Sequence, residues 1–122
     1  MQRDMELIRA ILLQLAEHDH GFAPPEFELA GYSEEQIGFH VHLMGQAGLL
    51  QTVDATTHSD PSPRAMPLAI TWQGYEFLDA ARSDSLWKKA GSQIAKAGVS
   101  VSFEILKQVL MGLAKEQLKL HG

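Results

Sequence analysis

A chain of 122 residues with 45% hydrophobic residues, net charge −5 and no cysteine can bury roughly two thirds of its unfolded surface without a covalent staple. The missing cysteines exclude a disulfide framework and a thiolate metal site. Asp4, Glu6 and Arg9 interrupt the first apolar pattern, which does not read as a secretory signal, and no apolar run approaches the roughly 20 residues of a membrane span; a cytoplasmic protein, with no membrane association, is expected.

Residues 2–18 predict a helix. Met5, Leu7, Ile8, Ile11, Leu12, Leu15 and Ala16 recur at spacings of three and four and make one wide apolar face. Asp4 and Glu6 suit its first turn, where the helix dipole favours acids, and Gly21 is a stop signal. Ala23-Pro24-Pro25 is a break, and Phe27-Glu28-Leu29 suits a short edge strand. Ser33-Glu34-Glu35-Gln36 has the pattern of a capping box. It opens a helix over residues 34–47 with Ile37, Val41, Met44 and Ala47 on the inner face. Gly48 stands where a helix-ending glycine belongs, before a strand over residues 49–54.

Residues 55–67 are rich in Thr, Ser, Asp and Pro and read as a loop. A returning strand over residues 68–72 runs directly into a helix over residues 72–81, with Tyr75, Phe77 and Leu78 as core candidates. Ser83-Asp84-Ser85 caps a further helix over residues 84–97, carrying Leu86, Trp87, Ala90, Ile94 and Ala97. Gly98 breaks it. The last helix covers residues 102–120, with an apolar stripe of Leu106, Val109, Leu110, Leu113, Leu118 and Leu120. Trp72 and Trp87 are predicted to anchor the core.

This order of elements predicts a mostly α fold with a small β-hairpin wing (α+β): a winged helix-turn-helix-like domain over residues 1–82 and a helical extension over residues 83–122. Ser33 to Leu50, with its exit Ala47-Gly48-Leu49-Leu50, resembles the second half of bacterial winged-helix regulators. Ile70-Thr71, Gly74 and Phe77-Leu78 resemble their exit from wing to helix. More narrowly, Arg3-Asp4-Met5, Leu7-Ile8-Arg9, His40-Val41, Leu43-Met44, Ala47-Gly48-Leu49, Thr71-Trp72, Gly74, Phe77-Leu78-Asp79 and Arg82 together resemble a family of small, often prophage-encoded bacterial proteins catalogued as a domain of unknown function. The resemblance covers about residues 1–90. It implies a winged-helix fold and no particular activity. One departure stands out: the helix that normally precedes a recognition helix has no room in the broken segment from Pro24 to Gly31.

Charge is segregated. Residues 19–60 hold seven acids, and no Lys or Arg lies between Arg9 and Arg64; six lysines lie in residues 84–122. DNA affinity comes mostly from Lys and Arg on phosphates. A recognition helix here offers Gln36, His42 and Gln46, the wing Arg64, and the extension Lys88 and Lys89. Glu34 and Glu35 would repel phosphate at the helix start. Nucleic acid is therefore the secondary reading.

The favoured one is protein contact or self-association, as a homodimer or with another protein. Its candidate surface is Phe39, His42, Leu43 and Gln46 on the outer helix face, and its candidate self-association face is Leu106, Val109, Leu110 and Leu113. An equal reading folds the last helix back within its own chain. His18 and His20 are loop histidines. His40 and His42, two apart on a helix, point in different directions and make no metal site, and His40 reads as a partly buried, hydrogen-bonded residue. No catalytic or cofactor motif is present, so neither an enzyme nor a cofactor is expected.

Overall fold

The computed structural model describes residues 1–98 and 102–121, with the side chains of Leu120 and His121 outside that description. The fold is α+β: helices α1 (Met5–Ala16), α2 (Glu34–Gln46), α3 (Trp72–Ala81), α4 (Asp84–Ala97) and α5 (Phe103–His121), with strands β1 (Leu50–Asp54) and β2 (Ala65–Ile70) between α2 and α3. The chain divides within α3 into two compact units, Met1–Tyr75 and Glu76–Gly122.

In the first unit, α1 begins at Met5, three residues after the predicted start at residue 2. Asp4 is its N-cap, and the carboxylate accepts the N–H groups of Glu6 and Leu7 at 3.0 and 3.3 Å. The helix ends at Ala16 with Glu17 as C-cap, so Gly21 is not its stop signal. Leu7, Ile8, Ile11, Leu12 and Leu15 are buried. α2 is opened by the capping box: Ser33 Oγ accepts Gln36 N–H at 3.1 Å, and Gln36 Oε1 accepts Ser33 N–H at 2.9 Å. Its inner face is Gly38, His40, Val41 and Met44. Ile37 is only half-buried and Ala47 is exposed, because the two glycines of α2 turn another stripe toward the hairpin. A Cβ on Gly38 would lie 2.6 Å from Arg64 Cγ, and one on Gly45 would strike the Thr52 hydroxyl.

α2 ends in a Schellman motif. Leu49 N–H bonds Met44 C=O at 2.9 Å, Gly48 N–H bonds Gly45 C=O at 3.2 Å, and Gly48 takes φ +77°. β1 and β2 pair antiparallel from Leu50↔Ile70 to Asp54↔Ala65, with a bulge between Gln51 and Thr52. The returning strand thus starts at Ala65, three residues before the expected start. The bulge accommodates Pro67, which has no N–H for a regular ladder. Phe27-Glu28-Leu29 forms no strand. The extended contact comes earlier, as a bridge from Phe22 to Ala69, with Ala23 N–H bonded to Leu68 C=O at 2.7 Å. Pro24 and Pro25 then supply no donors, and the pairing stops.

Thr71 joins the hairpin to α3. Its N–H bonds Leu49 C=O at 3.1 Å, and its hydroxyl donates to Gly48 C=O at 2.5 Å and accepts Gly74 N–H at 3.0 Å. Gly74 itself meets the Leu49 carbonyl, with no space for a side chain.

In the second unit, Phe77, Leu78 and Ala81 of α3 are buried. Trp72 and Tyr75 are not core: they are 79% and 42% exposed. The inward positions of α3 are 74, 77, 78 and 81, at helical spacing, and residues 72 and 75 fall off that face. Ser83 caps α4 through its hydroxyl, which accepts Leu86 N–H. Trp87, Ala90 and Ile94 are buried as predicted, and α4 packs against α5. Leu106, Leu110 and Leu113 are buried at 3%, 0% and 8%, with Val109 half-buried. The stripe read as a self-association face is therefore occupied within the chain, because it is the face an amphipathic helix must bury first. The Leu120 end of that stripe lies outside the described side chains. Phe77 and Phe103 rings lie 4.8 Å apart.

Two outcomes follow for thermal or denaturant unfolding. Trp87→Ala should cost about 3–5 kcal/mol and Trp72→Ala about 1 kcal/mol or less. Thr71→Val should cost about 1–3 kcal/mol by orphaning the Gly48 carbonyl and Gly74 N–H, whereas Thr71→Ser should retain most of that stability.

Candidate interaction surface

The predicted surface residues share one face of α2, since positions 39, 42, 43 and 46 follow the helical repeat. Phe39 and His42 stack with ring centroids 6.4 Å apart and planes 24° from parallel. Phe39, His42 and Leu43 are half-buried, and only Gln46 is exposed. The DNA-reading set shares His42 and Gln46 with this face and adds Gln36, Arg64, Lys88 and Lys89. Gln36 is held by the capping box, and Arg64 lays its aliphatic stem across Gly38. Lys88 and Lys89 are exposed on α4.

His40 is the buried polar residue of the described chain, 1% exposed. The backbone N–H of Asp4 donates to its Nε2 at 2.9 Å. That nitrogen therefore carries the lone pair, and Nδ1–H donates to Gln36 C=O at 2.8 Å. Both ring nitrogens are engaged by main chain. His40 ties the N-cap of α1 to α2 and has no nitrogen left for a metal or substrate. Among the described residues, no group of three His, Cys, Asp or Glu side chains could hold a metal ion, and no helix is long and apolar enough to cross a membrane.

A group of exposed apolar residues lies on the hairpin. Val53 and Met66 are cross-strand partners, each 47% exposed, and Leu68 at the bulge is 41% exposed. Phe22, bridged to the outer edge of β2, is 75% exposed. A strand with one solvated face normally alternates apolar-in and polar-out. Here the inward positions are Leu50, Thr52 and Ala65; of the outward ones Gln51 is polar, whereas Val53, Met66 and Leu68 are apolar. The sequence carries this signal in Val53 and Leu68, but Met66 and Pro67 follow a Pro- and Ser-rich stretch that reads as loop.

Beside β2 lies a groove of about 340 Å³. Phe27, Ile37, Val41 and Met66 give it an apolar lining, Glu26, Glu28 and Glu34 an acidic one, and Arg64 its cation. It exists because the chain leaves the edge of β2 at Pro24-Pro25. The wing loop is fastened next to Arg64 and Glu35. Ala55 N–H bonds Arg64 C=O at 2.9 Å, Thr56 Oγ1 accepts Arg64 N–H at 2.9 Å, and Ser62 donates to Glu35 at 3.0 Å. The Asp54 carboxyl is held below the ordinary carboxylate range by the hydroxyl and N–H of Thr56, and that of Asp60 chiefly by the Thr57 N–H.

A family model described as a hypothetical protein family, DUF2513, matches residues 2–100. An uncharacterized protein of Haemophilus influenzae is 32% identical over 121 residues, covering 97% of this chain and 99% of that protein. No solved structure matches the chain.

Because both aspartate values are lowered on folding, the order they lend the wing is present at neutral pH. It is lost as pH falls through those lowered values. The amide resonances of Thr56 and Thr57 should therefore titrate below the ordinary aspartate range, and Asp54→Asn should abolish the Thr56 transition while leaving that of Thr57.

Proposed function

The chain belongs to the DUF2513 family of hypothetical proteins, and from that premise we propose that it is a non-enzymatic bacterial interaction module of winged-helix type, contacting protein rather than nucleic acid. The observation that carries this reading is the exposed apolar group on the outward side of the hairpin, where Val53, Met66 and Leu68 stand beside the one polar residue Gln51. Clustered apolar surface on a water-facing element has a cost that a partner relieves. The absence of catalysis is supported by His40, whose ring is fully engaged by backbone.

DNA is the second reading, from the resemblance to winged-helix regulators. Three observations weigh against it. Glu34 and Glu35 are exposed at the start of α2, Gln36 is tied up in its cap, and no Lys or Arg lies between Arg9 and Arg64.

Two measurements on the intact protein separate the readings. A labelled mixed-sequence duplex, titrated at low salt and followed by fluorescence anisotropy, should show no binding at micromolar protein. Immobilised protein should retain a bacterial partner that Val53→Glu/Met66→Glu releases, with the fold of the variant checked by circular dichroism. Binding of the duplex that weakens steeply with salt, with capture unchanged by the double substitution, would overturn the proposal in favour of DNA.

A further inference from the structure

The groove beside β2 and the outer face of α5 are chemically complementary. The groove joins an apolar lining of Phe27, Ile37 and Met66 to the carboxylates of Glu26, Glu28 and Glu34, opposed by the single cation Arg64. All three glutamates are exposed. Its residues come from the first unit alone. An occupant must therefore bring an apolar side chain of modest size flanked by positive charge.

α5 offers that chemistry. With Leu106, Leu110 and Leu113 buried on one face, its opposite face carries Met111 at 42% exposure and Leu118 at 72%, the latter among the most exposed large apolar residues of the described chain. Lys115 and Lys119 stand three residues before and one after Leu118, so positions 111, 115, 118 and 119 share a helical face. Both lysines are exposed. In an otherwise acidic protein, this face and the groove carry opposite charge.

We propose that the groove receives the Leu118 face of α5 from a second copy of the chain, so that the protein forms a homodimer. Leu118 enters between Phe27, Ile37 and Met66, and Lys115 and Lys119 meet Glu26, Glu28 and Glu34. Each copy carries one groove and one α5, and the proposed dimer seats each α5 in the other copy's groove about a two-fold axis. This rests on the interaction-module reading and names one partner for it. It differs from the stripe of Leu106, Leu110 and Leu113, which the chain buries itself.

The test is molar mass by light scattering on the full chain across salt and concentration, with two charge-reversed variants: Glu26→Lys/Glu34→Lys, and Lys115→Glu/Lys119→Glu. The wild type should be dimeric at low salt and weaken as salt rises, because the contacts are exposed at the rim. Each variant alone should dimerise at least about tenfold more weakly, since each then sets like charge against like. Mixed in equal amounts, the two should form a heterodimer, because both seats regain opposite charges. Circular dichroism and melting confirm that each variant folds. A wild type that stays monomeric at low salt, variants that dimerise as well as the wild type, or a mixture that stays monomeric would each overturn the proposal. If the wild type is monomeric while capture of another protein persists, only this inference fails and the interaction reading stands.

Discussion

The first unit depends on one junction, the meeting of Gly48-Leu49 with Thr71 and Gly74. There the end of α2, the start of β1, the end of β2 and the start of α3 converge within a few residues. The Thr71 hydroxyl bonds the Gly48 carbonyl while accepting the Gly74 N–H, and the Thr71 N–H takes the Leu49 carbonyl. The same threonine thus closes the strand pair and caps the helix that follows. Gly48 reverses the chain through a left-handed conformation, and Gly74 lets α3 approach the Leu49 carbonyl without a side chain between. With both ends of the hairpin fixed this way, α2 and β1–β2 have little freedom to slide. The contacts of Gly38 with Arg64 and of Gly45 with Thr52 extend that constraint along α2.

This junction explains why the order of elements was readable from the sequence. Ala47-Gly48-Leu49-Leu50 and Ile70-Thr71 with Gly74 are local signals, each with its own backbone consequence: a Schellman stop, a strand end, a cap and a close approach. The capping box at Ser33 and the cap at Ser83 are local too, and both α2 and α4 begin where they place them. The C-terminal stripe was equally visible, but whether its face is buried within the chain is a question of partners. Helical spacing reports a face and not what covers it.

What the sequence concealed was set by non-local pairing. Ala65-Met66-Pro67 reads as loop because a proline sits in it, and only a bulge opposite Gln51 and Thr52 lets it be strand. The edge contact at Phe22 depends on Ala69, nearly fifty residues away, while Phe27-Glu28-Leu29, with the better local strand composition, forms no strand. Trp72 looked like a core residue by type. Its position in the first turn of α3 puts it off the face defined by Phe77, Leu78 and Ala81, and position prevails over residue preference. The groove was illegible for the same reason: its lining comes from three separated stretches around residues 25–28, 34–41 and 64–67.

The groove and the apolar hairpin face share an origin. Pro24 and Pro25 end the bridge that Phe22 begins, so the chain leaves β2 and its outer edge stays uncovered by backbone beside Ala65 to Pro67. Met66 then belongs both to the lining of the recess and to the exposed sheet face. Proteins that remain solitary commonly guard such edges with lysine or with inward charge. Neither strand of this hairpin carries a lysine, and β1 pairs on one side only, with Asp54 as the charge of its last position. Glu26, Glu28 and Glu34 line the groove, and all six lysines of the chain lie in residues 84–122. A sequence under pressure only to stay soluble would intersperse the two signs. Within the first unit, Val53, Met66 and Leu68 put exposed apolar side chains on the hairpin, and Met66 is shared with the acid-lined groove, whereas Phe39 and Leu43 on the outer face of α2 are half-buried.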